Sequence, residues 1–121
     1  MKVLIIDSSV QIVSRLEEML LNAKAITLVC FCAHYGNGLQ VYNETRPDVV
    51  VLGISLPETQ SVKMLGEIKA VRFATPVIML TTSMNGYILE QCRLLGADYF
   101  LDKYYDFEKI AGVINSIVSK K

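Results

Sequence analysis

Five short apolar runs punctuate the chain, at Val3 to Ile6, Ile26 to Cys32, Val49 to Leu52, Val77 to Leu80 and Tyr99 to Leu101. Most are nearly continuous in Val, Ile, Leu and Met rather than alternating with polar residues. Strands read this way when helices cover both of their faces. The segments between them change period. Ile12, Leu16, Met19 and Leu20 recur at about 3.6 residues, as do Val62, Leu65 and Ile68, then Ile88, Cys92 and Leu95, then Ile110, Val113, Ile114 and Ile117. A further helix over about Leu39 to Thr45 is more weakly patterned. Strand and helix therefore alternate along the whole chain, which predicts an α/β fold built on a parallel sheet. Local signals sharpen the boundaries. Ser8 with Gln11 reads as a capping box on the first helix, Asp106 as the N-cap of the last, Gly96 as a helix stop after Leu95, and Thr82 with Ser83 as the start of the fourth helix.

The length, 121 residues, suits one domain, 1–121, and 52% hydrophobic residues against 20% charged describe a packed core. Twelve basic side chains balance twelve acidic ones, so no global field steers the chain to nucleic acid or an anionic membrane. No apolar run approaches the roughly 20 residues that a membrane helix needs, and the start of the chain lacks a secretory signal pattern. The expectation is a cytoplasmic protein with no direct nucleic-acid or membrane partner. Cys30, Cys32 and Cys92 have neither metal-ligand nor redox spacing and read as reduced thiols.

In an open parallel sheet, ligands sit outside the carboxyl ends of the strands. There the sequence places Asp7, Ser8 and Ser9 after the first strand, and Gly53, Ser55 and Pro57 after the third. Thr81, Thr82 and Ser83 follow the fourth strand, and Asp102 with Lys103 the fifth. Glu58 could lean over this crevice or remain an exposed loop residue, and His34, beside Tyr35 and Gly36, reads as a surface-loop histidine.

The segments "VLIIDSS", "RPDVVVLGISLPE", "TPVIMLTTS" and "LGADYFLDK", in this order over the whole chain, resemble the receiver domain of two-component response regulators. The resemblance implies a flavodoxin-like doubly wound sheet of five parallel strands, in order 2-1-3-4-5, with five helices. It also implies a magnesium-binding acidic pair at Asp7 and Ser8, a phosphoacceptor aspartate at Gly53, a hydroxyl at Thr81, an access position at Ser55 and a phosphate-contacting Lys103. This chain departs from that pattern at its centre. Glycine offers no oxygen to attack phosphorus, and Ser8 removes the second carboxylate. Magnesium, which usually takes one or two carboxylates, is then bound at Asp7 weakly or not at all, and no other cofactor is implied. Without phosphate the simplest surviving interaction is Asp7 with Lys103, as a partly buried ion pair.

Phe100 stands where many receivers carry a rotating aromatic, and it also reads as a plain core residue. Tyr104 replaces the usual proline after the lysine. Tyr87, Glu90, Gln91 and Arg93 lie off the apolar stripe of the fourth helix and, with Tyr104 and Tyr105, form a candidate protein-contact face. The reading is a non-enzymatic signalling domain that cannot be phosphorylated at Gly53 and acts by binding proteins. A histidine kinase, a downstream signalling protein and a second copy of the chain are the partners considered. One alternative is a normally phosphorylatable, magnesium-dependent receiver carrying an engineered Asp-to-Gly change. Another is a small flavodoxin-like ligand-binding protein, although neither G-x-G-x-x-G nor G-x-x-x-x-G-K-[ST] is present.

Overall fold

The structure, a computed structural model, describes residues 1–22, 26–54, 58–82 and 86–119. The elements alternate as β1 (Lys2–Ile6), α1 (Val10–Leu21), β2 (Leu28–Cys32), α2 (Gly38–Thr45), β3 (Val49–Gly53), α3 (Glu58–Val71), β4 (Val77–Thr81), α4 (Gly86–Leu94), β5 (Tyr99–Asp102) and α5 (Lys109–Ser119), with a 3-10 turn at Tyr35–Asn37 before α2. All strand pairs are parallel and the order is β2-β1-β3-β4-β5. This is the flavodoxin-like doubly wound arrangement that the alternation and the resemblance imply.

The side-chain period of two divides β1 and β3 between two cores. Val3, Ile5, Val49 and Val51 pack with Leu16, Leu20, Ile110 and Ile114 under α1 and α5. Leu4, Ile6, Val50 and Leu52 pack with Met64, Leu65, Ile68 and Cys92 under α3 and α4. Residues of β3 and β4 are buried throughout, as their unbroken apolar runs require. β2 differs despite a similar run: it is an edge strand, starts at Leu28 rather than Ile26, and leaves Leu28 and Phe31 about half exposed. A strand paired on one side only has less of the helical layers above it.

The helix termini correct two expectations. Ser9, not Ser8, caps α1, its Oγ accepting the Ile12 N–H at 3.4 Å. Asp106 is not the N-cap of α5, which begins at Lys109; its carboxylate instead accepts the Asp102 N–H at 2.9 Å and pairs with Lys109. The expected start of the fourth helix falls partly outside the described residues: Thr82 is exposed in a bend, and Ser83 is not among them. Among the described residues, two have left-handed backbone: Arg46 (φ 47°), which ends α2, and Gly96 (φ 105°), just past α4.

Gly96 is the helix stop expected, and two constraints hold it. Its φ excludes side chains, and a Cβ there would stand 2.7 Å and 2.9 Å from ring carbons of Phe73. Gly96→Ala is therefore expected to lower stability by about 1–3 kcal/mol, through backbone strain and displacement of that ring. Urea unfolding measures it, and an unchanged midpoint would contradict the account.

Candidate functional site

The crevice lies at the carboxyl ends of β1, β3, β4 and β5. Asp7 follows β1 directly and is 1% exposed. Its Oδ1 accepts the Ser9 N–H at 2.8 Å, a local turn that also sets the entry to α1. Its Oδ2 meets Lys103 Nζ at 2.8 Å, with the two side chains 0% and 7% exposed. The ion pair expected from the sequence is thus present, and it is buried rather than partly buried. Lys103 is held from β5, and its backbone N–H donates to Thr81 O at 2.9 Å. Thr81, buried at the end of β4, is in register with Asp102.

Gly53 ends β3 between these groups. A Cβ on residue 53 would collide with Asp7 Oδ2 and lie only 2.7 Å from Asp7 Cγ. The Asp7 carboxylate therefore occupies the space that a side chain at 53 would enter. The Gly53 carbonyl accepts from Ser61 Oγ at 3.0 Å, and from the Tyr35 hydroxyl. Sequence reasoning missed Tyr35 and Ser61 as members of this site, because no local pattern links residues 18 and 8 positions away. Ser8, the other half of the implied acidic pair, is exposed. Ser55 and Pro57 lie outside the described residues. Glu58 is the first residue of α3, not a loop residue. His34 is exposed, as expected, at the start of the 3-10 turn.

A family model described as the response regulator receiver domain matches residues 3–115. The chain belongs to that family. Receiver domains are signalling domains. Among curated proteins, the probable C4-dicarboxylate response regulator DctR of Bacillus subtilis (strain 168) is 26% identical over 124 residues, covering 89% of this chain and 54% of that protein. The regulatory protein AtoC of Escherichia coli (strain K12) is 29% identical over 80 residues, covering 65% of this chain and 17% of AtoC. The chain thus spans about half, or less, of the length of these relatives. Among solved structures, a two-component response regulator of the LuxR family from Aurantimonas sp. SI85-9A1 superposes with a TM-score of 0.86 at 18% identity, covering 99% of this chain and 86% of that one. The CheX-CheY-BeF3-Mg+2 complex from Borrelia burgdorferi gives 0.84 at 24% identity, covering 97% and 88%. At such identities the likeness is one of fold.

Elsewhere on the receiver fold, the expected contact residues lie on α4 and on the loop after β5. On α4, Gln91 Nε2 donates to Tyr87 Oη at 2.9 Å, and Arg93 reaches both carboxylate oxygens of Glu90 at 2.9 Å and 2.5 Å. Arg93 holds the Glu90 carboxyl below its ordinary range by donating to it, and is itself raised by the same bond. After β5, Asp102 Oδ1 accepts the backbone N–H groups of Tyr104 and Tyr105 at 2.8 Å and 2.9 Å, which turns the loop and leaves the rings 64% and 92% exposed. The Asp102 N–H and Lys109 together depress the Asp106 carboxyl. Phe100 is half-buried against the core under α3 and α4. The cysteines are free thiols, and burial pushes that of Cys92 up. Among the described residues no helix is long and apolar enough to cross a membrane.

Proposed function

We propose that this receiver domain transmits its signal in the cytoplasm without an aspartyl phosphate, as a protein-binding module with no turnover chemistry of its own. The observation that carries the reading is the position of Asp7, whose carboxylate fills the space at Gly53 and faces Lys103 at 2.8 Å. In the family pattern a lysine at this place contacts the phosphoryl group; here its charge is met by Asp7. The donor set does not fit a magnesium ion. It offers one carboxylate already paired with an ammonium, a glycine and an exposed serine, where magnesium wants carboxylates together with phosphate oxygens and waters.

Incubation with acetyl phosphate and magnesium is expected to leave the wild-type protein unlabelled by intact-mass measurement. A hydroxylamine-sensitive acyl phosphate mapped to this crevice would overturn the proposal. Gly53→Asp supplies the missing acceptor and forces Asp7 outward, so partial magnesium-dependent labelling is expected, limited by Ser8. A variant that folds yet stays unlabelled at high magnesium would refute the reading of this crevice as a receiver site lacking its acceptor.

The contact surface in this proposal is the α4, β5 and α5 face, where Tyr87 and Tyr104 are 71% and 64% exposed. Protein interfaces concentrate their binding energy in Tyr, Trp and Arg anchors. Tyr87→Ala and Tyr104→Ala are each expected to weaken association with a kinase, a downstream protein or a second copy by about 1–2 kcal/mol. Sedimentation or pull-down measurements check this. Association abolished by Asp7→Asn in folded protein, with the tyrosine variants unchanged, would return the function to the crevice.

A further inference from the structure

At the opposite pole of the sheet, the C-terminal ends of α2 and α3 and the approach to β3 enclose a cleft of about 530 Å³, lined by Tyr42, Asn43, Arg46, Pro47, Val71 and Arg72. We propose that this cleft binds a small organic phosphate. The five-residue strand β3, roughly 16 Å long, separates Pro47 from the crevice at Gly53, so the site is independent of the crevice and of the function proposed for it.

The cleft has the volume of a small-molecule site, and its lining includes two exposed arginines, Arg46 and Arg72, and no Asp or Glu. Neither arginine side chain has a hydrogen-bond or ion-pair partner among the described residues. The acids that line the adjoining cleft are held by other groups. Asp48 Oδ2 accepts the Lys2 N–H at 2.8 Å, and Asp98 Oδ2 accepts from Lys69 Nζ at 3.0 Å and from the Val77 N–H at 2.8 Å. The carbonyl of Thr45, in the last turn of α2, is covered by Lys2 Nζ at 3.2 Å, which offsets the negative end of that helix. The charge of the two arginines at the cleft is therefore not offset by a paired acid.

Apart from Asn43, the remaining lining is largely apolar. The Tyr42 hydroxyl is tied to Thr75 Oγ1 at 2.6 Å, leaving its ring as lining, and Val71 remains 54% exposed. Two guanidiniums and the Asn43 amide suit a phosphate dianion, since each guanidinium can donate two parallel hydrogen bonds. The Tyr42, Pro47 and Val71 surface suits an apolar body attached to it. Arg46 also keeps a left-handed backbone at a helix end that glycine would cap with less strain.

Phenyl phosphate, adenosine monophosphate, phenol and inorganic phosphate, titrated separately into the intact protein, test the assignment by calorimetry and by amide NMR shifts at Asn43, Arg46 and Arg72. At least one of the two organic phosphates is expected to bind tenfold or more tightly than inorganic phosphate, and phenol not at all. Arg46→Gly and Arg72→Gln should each weaken that binding at least tenfold, while Arg15→Gln, on α1, leaves it unchanged. Arg46→Gly should at the same time raise the unfolding midpoint, which separates lost binding from lost folding. Absence of binding by both organic phosphates, phenol binding as tightly as phenyl phosphate, or affinity indifferent to both arginine variants would each overturn the proposal.

Discussion

Replacing Lys103 with alanine is expected to destabilise the protein by about 3–5 kcal/mol, because it leaves a buried carboxylate without its counter-charge. Asp7 is 1% exposed, and Lys103 Nζ is the cation that meets its Oδ2. The pair is buried, with side chains 7% and 0% exposed, so solvent screening is weak and the small values typical of surface salt bridges do not apply. For a domain whose total stability is about 5–15 kcal/mol, such a loss approaches unfolding. The paired replacement Asp7→Asn with Lys103→Met removes both charges while keeping similar volume, and is expected to recover most of the loss. Urea unfolding of the three proteins checks this. A Lys103→Ala cost below about 1 kcal/mol would mean that Asp7 is solvated and that the pair does not close the crevice.

Much of the fold is written locally. Val3 to Ile6, Val49 to Leu52 and Val77 to Leu80 read as buried parallel strands because they do not alternate, and each is a strand in the structure. Local pattern does not say how many neighbours a strand has, so the half exposure of Leu28 and Phe31 on edge strand β2 was not legible. Nor could it choose between adjacent hydroxyls. Ser9 rather than Ser8 caps α1, and Asp7 Oδ1 accepts the Ser9 N–H at that turn. At the site, the Asp7 to Lys103 pair followed from the order of strand ends and from the resemblance. Tyr35 and Ser61, which donate to the Gly53 carbonyl, come from the turn before α2 and from α3, and only the assembled sheet brings them there.

Gly53→Ala adds a single methyl group, yet its expected cost is about 2–4 kcal/mol, because that methyl contests the ground on which Asp7 stands. The backbone at Gly53 is not left-handed, Gly96 being the glycine of positive φ, so alanine meets no conformational penalty of its own. The obstacle is steric: the new carbon would lie 2.7 Å from Asp7 Cγ and closer still to Oδ2. β3 cannot retreat cheaply, since it is paired with β1 on one side and β4 on the other, and Ile54 N–H donates to Leu80 O at 2.7 Å. Asp7 must therefore rotate, giving up the Ser9 N–H and leaving Lys103 buried without its partner. Removing the carboxylate should remove the conflict. In an Asp7→Ala background the nearest Asp7 atom left is Cβ, 3.2 Å from the added methyl, a tight contact that a small shift relieves. There Gly53→Ala is expected to be close to neutral, helped by the smaller entropy of the unfolded chain. The double-mutant cycle should then show coupling of about 2 kcal/mol or more between positions 7 and 53, whereas independent sites add within about 0.5 kcal/mol. Additive costs would show that Asp7 does not occupy the place of the side chain at residue 53, and would remove the main support for a receiver closed by its own ion pair.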